Sequence, residues 1–303
     1  MAQAPSTSIA AELVGRIAEL KKLQACLRAG KNVLLEGPVG VGKTHLAIAV
    51  TQELKRPVFR IDGDNRYSEQ KLSGWFDPPT VIKKGFSAES FIPGPLVEAM
   101  KVGGVLFINE LNRLPEGVQN VLLPAIDERM ILVPRLGEIR AKPGFLVIAT
   151  QNPKEFVATS HLSEAILDRF ELVMIQYQSE EDEIEIVSHK TAELEGSKKS
   201  KASLSLASVR LIRATRVHPR IRRGASVRAA ISMAQIATVL ISDGATFEEA
   251  FLAAALMALP TRIEIEREMD SEQSIHAEIE LLLKEMSESV LSDLNSDGVK
   301  KKL

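Results

Sequence analysis

The sequence predicts a mostly parallel, five-stranded α/β domain over residues 1–176 and a smaller all-helical domain over residues 177–303. Three observations carry this. Strands and helices alternate from residue 31 to residue 176, the pattern of βαβ units. A glycine-rich turn joins the first of these strands to the first of these helices. Strand signals then stop beyond Gln176, and the remainder reads as helix. The length of 303 residues agrees with two domains, at about 150 residues each.

Leu13 to Arg28 is helical, because Leu13, Ile17, Leu20, Leu23 and Leu27 recur every three or four residues, and Ala29-Gly30 ends it. Asn32–Glu36 is a short apolar strand, Thr44–Leu54 a helix and Pro57–Ile61 the second strand. Asp62–Pro95 lacks periodicity and is rich in Gly, Pro and Ser, which predicts loop or an inserted element. Gly104–Asn109 is apolar almost throughout, as in a strand buried on both faces. A helix follows over Glu116–Arg129, then a hairpin within Met130–Gly144 around Pro134-Arg135-Leu136-Gly137. Phe145–Thr150 is the fourth strand, Ser163–Asp168 a helix and Glu171–Ile175 the fifth strand. In the second domain Glu181–Glu195 is helical and Gly196–Ser205 reads as a Lys/Ser-rich break. Helices then cover Leu206–Arg216, Ser226–Ile241, Thr246–Leu259 and Ser274–Leu294. In the last, Ile275, Ile279, Leu282, Met286 and Val290 share one face. They predict an amphipathic helix packed on its own domain, the alternative being a helix that docks a partner.

Composition narrows the class. With 45% hydrophobic and 26% charged residues, the chain is neither disordered, collagen-like nor a small disulfide scaffold. One cysteine, Cys26, excludes an internal disulfide, fits a reducing compartment and reads as a packing residue. Met1–Ala11 has no signal-peptide pattern, and the apolar run Ala250–Leu259 is too short to span a bilayer, so the expectation is a cytoplasmic protein without a membrane segment. The five histidines are scattered, and no His/Cys cluster has metal-ligand spacing. The net charge of −2 conceals two blocks: +10 from Ser197 to Arg228 and −9 from Ile263 to Asp297. The acidic run is expected to pack on the basic surface, within the chain or on a neighbouring subunit. Deleting residues 270–303 should then alter assembly or its salt dependence.

The chemistry lies at strand ends. Gly37-Pro38-Val39-Gly40-Val41-Gly42-Lys43-Thr44 fits G-x-x-x-x-G-K-[ST], with the strand before it and the helix after it that a phosphate loop requires. Its backbone N–H groups and the helix N-terminus suit phosphate oxygens. Lys43 would neutralise β- and γ-phosphates, and the Thr44 hydroxyl would ligate Mg²⁺. The alternative is a chance glycine loop. The third strand ends in Asn109-Glu110. Glu110 is suited to polarise a water, or else only caps the next turn; Asn109 stands where an Mg²⁺-holding Asp is usual and brings no charge. Asn152, at the exit of the fourth strand, could orient the water or read the γ-phosphate, since α/β sheets bind ligands at strand carboxyl ends. Arg169 either points out of the domain, with Phe170 packed inward, or pairs with Asp168. Trp75 reads equally as a packing anchor or a client contact.

The order of these motifs resembles the AAA+ ATPases, and among them the MoxR group. The similarity runs through GPVGVGKT at 37–44, FIPGPL at 91–96, NELNR at 109–113, ATQNP at 149–153, LSEAILDRF at 162–170 and GASVRAA at 224–230, over nearly all of residues 13–240. Residues 74–94 look like the helix-2 insert of that clade, and 129–144 like its pre-sensor-1 hairpin. NELNRLPEGVQNVLLPAIDE looks similar to the CoxD-type ATPases that accompany carbon monoxide dehydrogenase maturation. The resemblance implies an AAA+ P-loop fold with a small all-α lid, binding ATP with Mg²⁺ and hydrolysing it. It implies catalytic roles for Lys43, Glu110, Asn152 (sensor 1), Arg169 (a finger reaching a neighbour's nucleotide) and Arg228 (sensor 2, in the lid), with Thr44 and Asn109 at the metal. It further implies a ring, usually hexameric, a von Willebrand factor A domain partner and a client metalloenzyme. The departure, Asn109 for Asp, predicts weaker Mg²⁺ attraction and slower hydrolysis. Two other functions remain open: a nucleic-acid-dependent motor, to which the +10 block could contribute but which the lack of Phe, Tyr or Trp from Ser197 to Arg228 disfavours, and a nucleotide-dependent assembly switch with weak hydrolysis.

Overall fold

The computed structural model describes residues 13–152, 162–195, 197–266 and 274–300. Met1–Ala11, Pro153 and part of the acidic run, residues 267–273, lie outside them. The chain divides into two compact units, Met1–Tyr177 and Gln178–Leu303.

The first unit runs α1 (Ile17–Arg28), β1 (Val33–Glu36), α2 (Lys43–Glu53), β2 (Val58–Asp62), α3 (Glu69–Ser73), β3 (Gly74–Phe76), α4 (Pro78–Lys84), β4 (Phe91–Pro93), α5 (Pro95–Val102), β5 (Val105–Asn109), α6 (Glu116–Asp127), β6 (Met130–Val133), β7 (Gly137–Arg140), β8 (Leu146–Gln151), α7 (Glu164–Leu167) and β9 (Glu171–Met174). Its sheet has five strands in the order β2-β5-β8-β1-β9, and every neighbouring pair is parallel. Alternate residues of each central strand serve opposite faces. Leu34, Leu106, Ile108, Val147 and Ala149 join one buried layer with α5 and α6. Val33, Leu35, Val105, Phe107, Leu146 and Ile148 join the other with α1 and α2, where Cys26 packs at the margin.

The segment read as loop or insert, Asp62–Pro95, is largely ordered. Ser68 and Asp77 cap α3 and α4, each side chain accepting a backbone N–H of the first turn. Antiparallel β3 and β4 close a small element between α3 and α5. Phe76 holds it together, edge-on to Phe86 at 5.0 Å and to Phe91 at 5.3 Å. Trp75 is 43% exposed, so packing falls to the phenylalanines. The predicted hairpin is β6–β7, antiparallel, with Arg135 of its turn 4.0 Å above the Phe86 ring.

The second unit comprises α8 (Glu180–Thr191), α9 (Lys198–Val217), β10 (Ile221–Arg223), α10 (Val227–Ser242), α11 (Phe247–Ala258), β11 (Glu264–Ile265) and α12 (Ile275–Lys300). Two expectations are corrected. The break expected over Gly196–Ser205 is mostly helix: Ser197 caps α9, and Leu204 and Ser205 are fully buried, so burial on one face overrides a Lys/Ser-rich composition. Strands do not stop at Gln176, because β10 and β11 form an antiparallel ribbon too short to leave a periodic signal. In α12, Ile279, Leu282, Leu283, Met286 and Val290 are buried in the unit's core while Ile275 is 42% exposed. The helix therefore completes its own unit, and deleting residues 270–303 would open that core rather than probe assembly. No helix among the described residues is long and apolar enough to cross a membrane.

Candidate functional site

The parallel sheet sets four polar strand ends side by side. The register pairs Asp62 with Asn109, Ile108 with Ala149, and Gln151 with Glu36, so the carboxyl ends of β2, β5, β8 and β1 form one row. Neighbouring strands lie about 4.8 Å apart. The row carries Asp62, then Asn109 and Glu110, then Asn152, then the loop Gly37–Gly42.

The loop is shaped for a ligand of oxygens. Gly42 has φ +91°, a left-handed conformation that a side chain would strain, and it heads α2 without a side-chain cap. The first N–H groups of α2 are thereby left to an anion. The Lys43 ammonium is folded back onto the carbonyls of Gly37 (2.7 Å) and Pro38 (2.8 Å). Beneath the loop lies Arg16, which the sequence reading missed. Its side chain is buried and donates to the carbonyls of Val41 (2.9 Å) and Gln176 (2.6 Å), with Glu19 2.7 Å away. It ties the loop to the chain leaving the sheet.

Asn109 and Glu110 sit in a tight network. Asn109 Oδ1 accepts from Thr44 Oγ1 and from Thr150 Oγ1, both at 3.1 Å, and Asn109 Nδ2 donates to Asp62 Oδ1 at 2.9 Å. Thr150 is fully buried and its hydroxyl accepts the backbone N–H of Glu110 at 2.9 Å. Glu110 has φ +60°, a left-handed conformation in a non-glycine residue, costing about 1–3 kcal/mol. Gly63 leaves room for it: a Cβ there would lie 2.0 Å from the Glu110 carbonyl oxygen. The Glu110 carboxylate makes no side-chain cap to the turn that follows and instead pairs with Arg113 at 3.1 Å. The Arg60 guanidinium, 2.7 Å away, holds the Asp62 carboxyl below its ordinary range; partial burial opposes this and the Asn109 amide adds to it.

Asn152 is buried one residue past β8, and its backbone carbonyl accepts from Asn112 Nδ2 at 3.4 Å. Two sequence candidates are not in this row. Arg169 follows α7, with Phe170 packed inward as expected. It pairs with Asp127 of α6 at 2.6 Å and donates to the Ala165 carbonyl at 2.6 Å, whereas Asp168, its partner in the alternative reading, is 3.9 Å away. Arg228 is exposed in the first turn of α10, in the second unit. The six arginines before it are committed to carboxylates. Arg210, Arg213 and Arg216 reach Glu180 and Glu183 at the start of α8, Arg220 reaches Glu278 at 3.2 Å, and Arg222 and Arg223 flank Glu264. The basic and acidic blocks thus meet within the second unit, although half of the arginines turn to α8 instead. No cluster of three His, Cys, Asp or Glu side chains suited to a metal occurs among the described residues. Thr44 and Asn109 supply hydroxyl and amide oxygens to a site whose remaining ligands would be phosphate and water, which suits Mg²⁺.

Apart from Arg16, the sequence reading missed Asp62, Gly63 and Thr150. Asp62 left one signal, an acid ending the second strand as Glu110 follows the third.

Residues 32–170 match the family described as the AAA domain, dynein-related subfamily. An uncharacterized protein of Staphylococcus saprophyticus is 34% identical over 156 residues, and one of Staphylococcus epidermidis is 35% identical over 156 residues. Each match covers 51% of this chain and 59% of the relative, so the chain spans a little over half the length of these relatives. Among solved structures, a candidate ATPase of Cytophaga hutchinsonii is similar with a TM-score of 0.50 at 21% identity, covering 92% of each chain. The RuvB Holliday junction branch migration motor of Thermotoga maritima is similar with a TM-score of 0.52 at 20% identity, covering 82% of this chain and 70% of that one. At these identities the likeness is one of fold: the first unit has the AAA+ P-loop fold, and a helical region follows it.

Proposed function

We propose that this AAA+ P-loop fold binds and hydrolyses ATP and uses the cycle to remodel a client protein or protein complex. The observation that carries the reading is the polar row at the carboxyl ends of β2, β5, β8 and β1, with Lys43 and Thr44 opening α2 beside it. In this reading the amides of Gly37 to Thr44 cradle the phosphates, which take the place of the two carbonyls that Lys43 now holds. Thr44 and Asn109 hold Mg²⁺, whose chemistry is to neutralise charge developing on the phosphates. Glu110 leaves Arg113 to take a proton from the attacking water, and Asn152 orients that water. Arg169 exchanges Asp127 for the nucleotide of a neighbouring subunit, and Arg228 contributes from the helical unit.

On this reading residues 1–176 are the nucleotide-binding domain and 177–303 its lid, in a cytoplasmic ring, a hexamer by the MoxR resemblance. The CoxD-type motif favours metalloenzyme or cofactor maturation with a von Willebrand factor A domain partner. A nucleotide-dependent assembly switch is the second reading, favoured by the Glu110–Arg113 pair, which engages the proposed base. The nucleic-acid motor has less support, because six of the seven arginines from Arg210 to Arg228 are paired with carboxylates.

Steady-state ATP turnover tests the enzyme. Lys43→Ala should abolish it. Glu110→Gln should keep ATP binding and lower turnover about 10²–10⁴-fold. Wild-type turnover no higher than that of Lys43→Ala, with ATP-dependent assembly retained, would leave the switch. An affinity capture with Glu110→Gln then reports the client and the von Willebrand factor A partner.

A further inference from the structure

An aspartate at position 109 would present oxygen whichever way its carboxylate turned. An asparagine presents oxygen on one side and an NH₂ group on the other. Turned by half a rotation, it would aim a donor at Thr44 and at the metal. The amide therefore needs something to hold it the right way round.

The neighbours of Asn109 determine its orientation from two sides. An ionised Asp62 carboxylate can only accept, so the atom 2.9 Å from it must be the nitrogen. The Thr150 hydroxyl accepts the Glu110 N–H at 2.9 Å and donates its own proton to the Asn109 oxygen at 3.1 Å. Both contacts turn the same oxygen toward Thr44 Oγ1, at 3.1 Å. Arg60, at 2.7 Å, grips the same Asp62 oxygen and keeps the carboxylate in place.

We propose that Asp62 is a positioning residue that locks the Asn109 amide with its oxygen toward Thr44, so that an amide can serve at the Mg²⁺ site where the family pattern has a carboxylate. The inference rests on the ATP reading above. It makes the end of β2 part of the site, one strand beyond the motif that the sequence displays.

The test titrates a fluorescent N-methylanthraniloyl-ATP into the full chain at several Mg²⁺ concentrations. Asp62→Ala, which removes the acceptor, should raise the Mg²⁺ concentration for half-maximal binding roughly tenfold, the worth of one hydrogen bond to a charged group. In an Asn109→Asp background the same change should produce no such rise, because a carboxylate has no wrong way round. A shift within about twofold on the Asn109 background would overturn the inference. So would an equal rise on both backgrounds, which would mark a general pull of the Asp62 charge on the metal. Thermal unfolding without nucleotide reads folding separately, and Asp62→Leu repeats the comparison if Asp62→Ala is unstable. A wild-type chain that binds no labelled ATP at any Mg²⁺ concentration removes the ATP reading and Asp62 with it; binding without the shift removes only Asp62.

Discussion

Single residues brace this site more than its motif suggests. Arg16 donates to the Val41 carbonyl of the phosphate loop and to the Gln176 carbonyl beyond the fifth strand, and Arg16→Ala would remove this donor from both. The expected loss is about 2 kcal/mol of stability with weaker nucleotide binding, read by chemical denaturation and by labelled-ATP titration. Gly63 makes a different prediction. A methyl group there meets the Glu110 carbonyl, so Gly63→Ala should move Glu110 out of its left-handed conformation. Turnover should fall while nucleotide affinity stays near wild type; parallel losses in both would count against a role confined to Glu110. Such residues carry little signal in the sequence for a common reason. Lys43, Thr44 and Glu110 stand in a local pattern with a fixed spacing. Arg16, Asp62 and Thr150 reach the site through contacts far apart in the chain, and no local spacing marks which partner such a residue will meet.

At the scale of elements, legibility followed burial. The five sheet strands were readable because their central members are apolar on both faces. The insert and the start of α9 were not, because polar side chains begin those helices: Ser68, Asp77 and Ser197 each accept a first-turn N–H. Composition describes such segments as loop, while the caps and one buried face make them helix. The pairing of α8 with α9 gives the prediction that belongs here. Glu183 is buried between Arg213 at 3.0 Å and Arg216 at 2.8 Å. Glu183→Ala would take this buried carboxylate from two part-buried guanidinium groups, at a cost of about 1.5–3 kcal/mol. A urea-unfolding midpoint indistinguishable from wild type would contradict it. Glu183→Gln should fall between the two, since the amide oxygen still accepts.

At the scale of the whole molecule, the proposed arginine finger can be separated from a structural arginine by mixing subunits. If Arg169 acts on a neighbour's nucleotide, Arg169→Ala and Lys43→Ala chains are each inactive alone. Mixed, about one interface in four joins an intact loop to an intact arginine, so turnover should reappear. No recovery, with mixed assemblies verified by size, would confine Arg169 to its pairing with Asp127. The placement of α12 has a consequence of another kind, in the order of folding during synthesis. Every element that builds the phosphate loop and its neighbours precedes residue 178, whereas the second core includes Leu282, Leu283 and Met286 from the last helix. A growing chain can therefore complete the sheet and its row of polar strand ends while the second unit still lacks the wall that α12 supplies. Until α12 emerges, the apolar faces of α9 and α11 that it covers stand exposed, so the first unit can fold before the second core closes.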